Sequence, residues 1–273
     1  MMIETRHLFP ILHSKLIELL RSLSDEDWQK PTIAGKWTVK DIAAHLLDVN
    51  YRTIAFRRNY SVKPDRPINS YRDLVDYLNH LNAEWVAAMK RVDPQTLTGL
   101  IDDTGKQHSD YMASLDPDLE APFSVAWAGE ERSAMWFHVA REYTEKWHHQ
   151  QQIRDAVGKQ GIMDRELFYP CVDTFMCGLP HTYRNTTAPA GTIIKVTITT
   201  QTGGEWFLIS NGKGWQLDKE GSVTPSATVT LDPDTAWKLL TKGLNQLEAA
   251  KRVQLDGDTQ LAGIVLTMVS VMA

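Results

Sequence analysis

The chain has 273 residues, enough for one large domain or two ordinary ones, and 42% hydrophobic with 23% charged residues is the composition of a globular protein. Its 29 Lys+Arg and 34 Asp+Glu give a formal charge of −5 with the two signs interleaved, so no basic stripe offers itself to a nucleic-acid backbone. The opening MMIETRHLFPILHSKL puts Glu4, His7 and Pro10 where a secretory leader needs an unbroken apolar core, and the apolar run 261–273 is too short to cross a bilayer as a helix, so the expected location is cytoplasmic.

From the start to about residue 184, apolar residues recur at intervals of three and four. Ile11, Leu12, Leu16, Leu19, Leu20 and Leu23 make one stripe, and Ile42, Leu46 and Val49 begin another. Ser24 with Asp27, and Thr38 with Asp41, have the pattern of helix starts: a hydroxyl caps the free amides and an acid sits in the first turn. The periodicity predicts helices near 5–23, 38–58, 70–91, 131–157 and 164–184, with a short one near 94–99. Cys171 and Cys177 are six apart, on different faces of the last of these, and read as buried thiols of a reducing compartment.

After TTAPAG, residues 186–191, the pattern changes. Short β-branched or aromatic runs at 193–200, 205–210, 214–218 and 226–231 are separated by turns such as TGG and NGKG and read as antiparallel strands. Helical patterns follow at 233–242 and 257–271, with VQLDG between them as one more candidate strand. The expected fold class is therefore α plus α+β, a helical domain over 1–185 and a smaller α+β domain over 191–273.

The predicted helix 131–157 carries the chemistry. His138, Arg141, Glu142, Glu145, His149 and Gln152 are spaced three or four apart and share one face. The plainer reading is a solvated face. Against it, Glu145 and His149 at i and i+4 aim a carboxylate oxygen and an imidazole nitrogen at one point, as in metal sites built inside bundles. His45 lies on the apolar face of another helix, between Ile42, Leu46 and Val49; alone it would be a core histidine, but with Glu145 and His149 it completes two imidazoles and one carboxylate. That set suits zinc, nickel or ferrous iron and leaves positions open for water or substrate.

GKWTVKDIAAHLLD, followed about a hundred residues later by TEKWHHQQQIRDA, resembles the DinB-like metal-binding fold, and specifically the N-terminal domain of the mycothiol-dependent maleylpyruvate isomerase family. The resemblance implies a four-helix bundle whose metal is held by a histidine late in the first motif and by the acid and histidine of the second. By matching motifs these are His45, Glu145 and His149. SATVTLDPDTAWKLLTKGL and VQLDGDTQLAGIVL resemble the sterol-carrier-like α+β domain that often follows this bundle, while 59–130 contributes little.

What the resemblance implies for function is a low-molecular-weight thiol, activated as thiolate by the divalent metal, that adds to an electrophile in a transfer or a cis–trans isomerisation. Glu145 is then a ligand and not a base. Arg141, Gln152 and Arg154 are candidate contacts to the thiol or an acidic substrate; otherwise the arginines pair with neighbouring acids and Gln152 is solvated. His148, one residue from His149, points about 100° around the helix and reads as a surface or interhelical residue. The α+β half would cover the open side of the metal or add a substrate pocket, with Trp206, Trp215 and Trp237 as aromatic surface or as ordinary core. Two other readings stand beside this one: a non-catalytic small-molecule or lipid-binding protein with a structural metal, and a hydrolase using metal-bound water. Partners would be the thiol and its electrophile rather than nucleic acid or membrane, and the aromatic residues permit a homodimer without requiring one.

Overall fold

The computed structural model describes residues 2–221 and 224–272. Contacts divide the chain into two compact units, and the division does not follow chain order. One unit holds residues 4–119 and 145–161, with Met272; the other holds 120–144 and 162–271, with residues 2 and 3.

The first unit is a helical bundle. Helices α1 (Phe9–Arg21), α2 (Asp25–Gln29), α3 (Val39–Arg57), α4 (Tyr71–Met89) and α5 (Pro94–Ser114) are joined by the second half of α6 (Met135–Val157). Both predicted hydroxyl–acid starts form reciprocal caps. Ser24 accepts from the Asp27 amide while Asp27 accepts from the Ser24 amide, and Thr38 and Asp41 do the same at the head of α3. Leu16, Leu19 and Leu20 of α1, Ile42, Leu46 and Leu47 of α3, Leu97 and Ile101 of α5 and Ile153 of α6 form one buried core. Each such side chain contributes about 1.5–3 kcal/mol by leaving water. Trp85 of α4 ties its indole N–H to the Ala44 carbonyl of α3 at 2.8 Å.

The helix expected as a short turn near 94–99 instead runs to Ser114. Asp93 caps it and Pro94 starts it. Its buried face mixes Leu97, Ile101 and Met112 with Thr104, Gly105, His108 and Ser109, so the apolar period that would reveal the helix is interrupted by small and polar residues.

The second unit combines the first half of α6, helices α7 (Arg165–Met176) and α8 (Leu179–Thr182), and a five-stranded sheet with short helices. The single helix expected over 164–184 breaks after Cys177 at Gly178, and α8 restarts with Pro180 in its first turn. Strands β1 (Ile193–Ile198), β2 (Gly204–Ser210), β3 (Trp215–Asp218), β4 (Ala227–Leu231) and β5 (Gln254–Gly257) lie in the order β3-β2-β1-β4-β5. The sheet is mixed rather than antiparallel throughout: β1 and β4 pair in parallel, Val196 opposite Val229, while the other pairs are antiparallel.

Helix α9 (Pro233–Leu240) begins at Asp232, whose carboxylate accepts from the Thr235 amide. A short helix, α10 (Gln246–Ala250), precedes β5 where none is predicted. The helix expected over 257–271 is only α11 (Thr259–Gly263), capped by Asp258, and a 3-10 turn, Ile264–Thr267. Residues 268–272 form no regular element, and the Ser270 amide donates to the Leu240 carbonyl. Trp206, Trp215 and Trp237 are buried and belong to the core of this unit, not to an aromatic surface.

Asp173 of α7 is the polar centre of that core. It accepts the Trp206 indole N–H at 2.7 Å and an ion pair from Lys219, whose ammonium also lies over the Tyr169 and Trp206 rings at 5.1 and 4.9 Å. Asp173→Ala would strand a buried indole N–H and a half-buried cation together. The expected cost is roughly 3 kcal/mol, seen as a lower denaturation midpoint by tryptophan fluorescence, and an unchanged midpoint would remove Asp173 from this role.

Candidate metal centre

His45 sits two turns into α3, a position fixed by the Thr38–Asp41 cap. Glu145 and His149 come from successive turns of α6 in the same unit. One ligand atom from each of the three lies within 4.8 Å of the others, close enough to hold one cation between them. The two imidazole rings meet edge to face at 4.7 Å between centroids, and His149 Nε2 is 3.4 Å from a Glu145 carboxylate oxygen.

The surroundings fix how each group can act. Gln152 Oε1 lies 2.9 Å from His149 Nδ1; an amide oxygen only accepts, so Nδ1 is the donor of that pair and Nε2 is the nitrogen turned towards Glu145. Trp37, just ahead of the α3 cap, packs its ring 5.0 Å from that of His45 and 6.2 Å from that of His149. His45 Nδ1 is buried with no hydrogen-bond partner, an expensive condition for an imidazole nitrogen unless the ring serves another purpose. The His149 side chain is 9% exposed and that of Glu145 is 25% exposed, so solvent reaches the carboxylate more than the imidazole.

Burial, reinforced by the neighbouring His149, holds His45 well below the ordinary histidine range, so the ring is neutral at pH 7. For Glu145, burial acts to raise the carboxyl but is outweighed by His148 and His149, and the group is held well below its ordinary value. Two imidazoles and one carboxylate, with His149 Nε2 turned towards Glu145 and a buried His45 nitrogen unserved, fit a divalent cation with open positions.

The other residues singled out by the motif fall into different settings. Gln152 is buried, 3% exposed, and engaged with His149 rather than solvated. Arg154 donates to the carbonyls of Gln160 at 2.8 Å and Lys15 at 3.0 Å, which makes it a fastener of loop and helix backbone. Arg141 lies in the other unit, where it donates to His138 Nδ1 at 2.9 Å and to Glu142 at 2.6 Å. Burial pushes that His138 down to about 4. His148 is not at the surface: it is 3% exposed, its ring 4.0 Å from that of His149. Trp37 escapes a reading based on ligand types, although its place immediately before a capping threonine is the signal that would have found it.

Residues 9–154 match the family described as Mycothiol maleylpyruvate isomerase N-terminal domain, and residues 179–265 match the SCP-2 sterol transfer family. Among solved structures, a mycothiol-dependent maleylpyruvate isomerase and a histidine-to-alanine mutant of it each align with a TM-score of 0.55 at 10% identity, covering 94% of this chain and 93% of the other. At that identity the likeness is one of fold: a helical N-terminal region followed by a small mixed-sheet domain. No curated protein matches the chain by sequence. The first family match spans more than half of the chain, which therefore belongs to the mycothiol maleylpyruvate isomerase N-terminal domain family and carries an SCP-2 region after it.

Proposed function

We propose that the chain is a metal-dependent enzyme that uses a low-molecular-weight thiol, either as a thiol transferase or as a cis–trans isomerase. The observation that carries this reading is the convergence of His45, Glu145 and His149, with a buried unpartnered nitrogen on His45, in a chain whose solved structural neighbours include mycothiol-dependent maleylpyruvate isomerases.

The reading assigns each group a task. His45 and His149 act as ligands, His45 kept neutral by burial and His149 oriented by the hydrogen bond from its Nδ1 to Gln152. Glu145 remains ionised and supplies the anionic ligand. When bound, a divalent ion of the zinc, nickel or iron type supplies a lowered pKa for a thiol, giving thiolate near neutral pH. The thiol has to come from outside. Cys171 is fully buried, and burial pushes the Cys177 thiol up to about 12, so neither is a ready nucleophile. In an isomerisation, the thiolate sulfur bonds to one carbon of a conjugated double bond and the π electrons move to the conjugated carbonyl. The former double bond rotates, and the electrons return to expel the thiolate, so no oxidant is needed. A second reading, binding of an apolar ligand, rests on the SCP-2 match alone.

Untagged protein is expected to carry about one equivalent of zinc, nickel or iron by mass spectrometry, and to lose it in His45→Ala and His149→Ala while circular dichroism stays unchanged. Thiol-dependent conversion of a cis-configured electrophile should disappear in the same variants. A parent that takes up no metal after dialysis against these ions would overturn the reading. Gln152→Leu keeps all three ligands but frees the His149 tautomer, and should weaken metal affinity about 10–100-fold in a chelator competition; unchanged affinity would deny Gln152 its orienting part.

In metal-free protein, both His45 and His138 are held below 6.5 by burial, His138 at about 4. Between those values the unfolded chain binds protons that the folded chain does not, so stability falls as pH is lowered from 6.5 towards 4 and is regained as pH rises. Denaturant midpoints at pH 7, 5.5 and 4.5 measure it, and His138→Gln should flatten the slope.

A further inference from the structure

The helical bundle contains a second polar locus that uses none of the three candidate ligands. A small cavity, about 20 Å³, lies among α1, α3, α5 and α6, with room for about one water-sized atom. Lys146 and Gln150 of α6, Asn50 of α3, and His13, Phe9 and Leu12 of α1 line it.

Gln150 is 1% exposed, and its Nε2 is buried without a hydrogen-bond partner although it borders the cavity. A buried amide N–H₂ in this condition calls for an acceptor. Lys146 brings a positive charge to the same wall. Its Nζ is oriented by Asn50 Oδ1 at 2.5 Å and the Leu46 carbonyl at 3.3 Å, while Asn50 Nδ2 is committed to Thr104 at 2.9 Å. No acid is among the described residues that line the space, and the nearby Asp102 is engaged by His13, Arg21 and Lys106. The His13 ring can lie this close to α5 because residue 105 is glycine: a Cβ there would come within 2.3 Å of it. The remaining walls are Phe9, Leu12 and Leu16 of α1 and Gly105, His108 and Ser109 of α5.

We propose that this cavity binds a single halide ion, held by Gln150 Nε2 and Lys146 Nζ beside the apolar side chains of Phe9, Leu12 and Leu16. The donors and the cation select an anion. The small volume favours a monatomic ion over phosphate, sulfate and carboxylates. Pairing with the lysine offsets the cost of bringing the ion out of water.

The test uses the full chain with its metal content held constant. Crystals soaked in sodium bromide should show one anomalous peak between Gln150 Nε2 and Lys146 Nζ. In solution, replacing sodium gluconate with sodium bromide at fixed ionic strength should raise the unfolding midpoint saturably, by about 2–4 °C, and this rise should be lost in Gln150→Leu. A cavity without anomalous signal, including one filled by water, would overturn the proposal even if the variant failed to fold. So would an equal bromide response in the parent and Gln150→Leu.

Discussion

The constraint on which the bundle depends is that the second half of α6 turns polar side chains inward. Glu145 and Lys146, and after Trp147 the run His148, His149, Gln150, Gln151 and Gln152, are all polar, and all but Glu145 and Lys146 are buried. A polar group taken from water without a partner costs on the order of 2–7 kcal/mol, so this helix has to be met by complementary groups from the helices around it. Asn50 and the Leu46 carbonyl meet Lys146, and the ring of Trp37 packs beside His149. The apolar core of Leu, Ile and Ala residues on α1, α3 and α5 supplies the stability against which this polar interior is tolerated.

The helices with an uninterrupted apolar period were legible in the sequence, and so were the starts of α2 and α3, because a cap is written in two residues three apart. Helix α5 was not, since its buried face gives up apolar residues to Gly105, His108 and Ser109, which border a cavity instead of filling a core. The strands were legible one by one. Their directions were not: side chains alternate identically in parallel and antiparallel pairs, and nothing in β1 or β4 records that they run together. The C-terminal apolar run imitates a helical period while only its first residues form a helix.

At the candidate site, the acid-and-histidine spacing on one helix and a histidine on an apolar face were enough to single out three residues whose ligand atoms converge. Side chains that act on those residues were harder to read. A glutamine one turn past a histidine is ordinary on any helix, and only the fold reveals that Gln152 accepts from that ring. The two arginines show the opposite failure. Residue type suggested anion binding for both, yet the terminal nitrogens of Arg154 donate to main-chain carbonyls and Arg141 Nη2 donates to groups on its own helix.

The reciprocal cap at Thr38 and Asp41 has a consequence for how chain length can vary. With Thr38 N donating to Asp41 at 3.1 Å and Asp41 N to Thr38 at 3.3 Å, the first turn of α3 is pinned, and every residue after it has its bearing set by helical geometry. One residue inserted between the cap and His45 would swing the imidazole by about 100° and carry it away from Glu145 and His149. An insertion in the turn before Trp37, where Gly35 adopts a positive φ, would be taken up by the loop. The bundle thus has an elastic segment followed directly by an incompressible one, and the histidine belongs to the second.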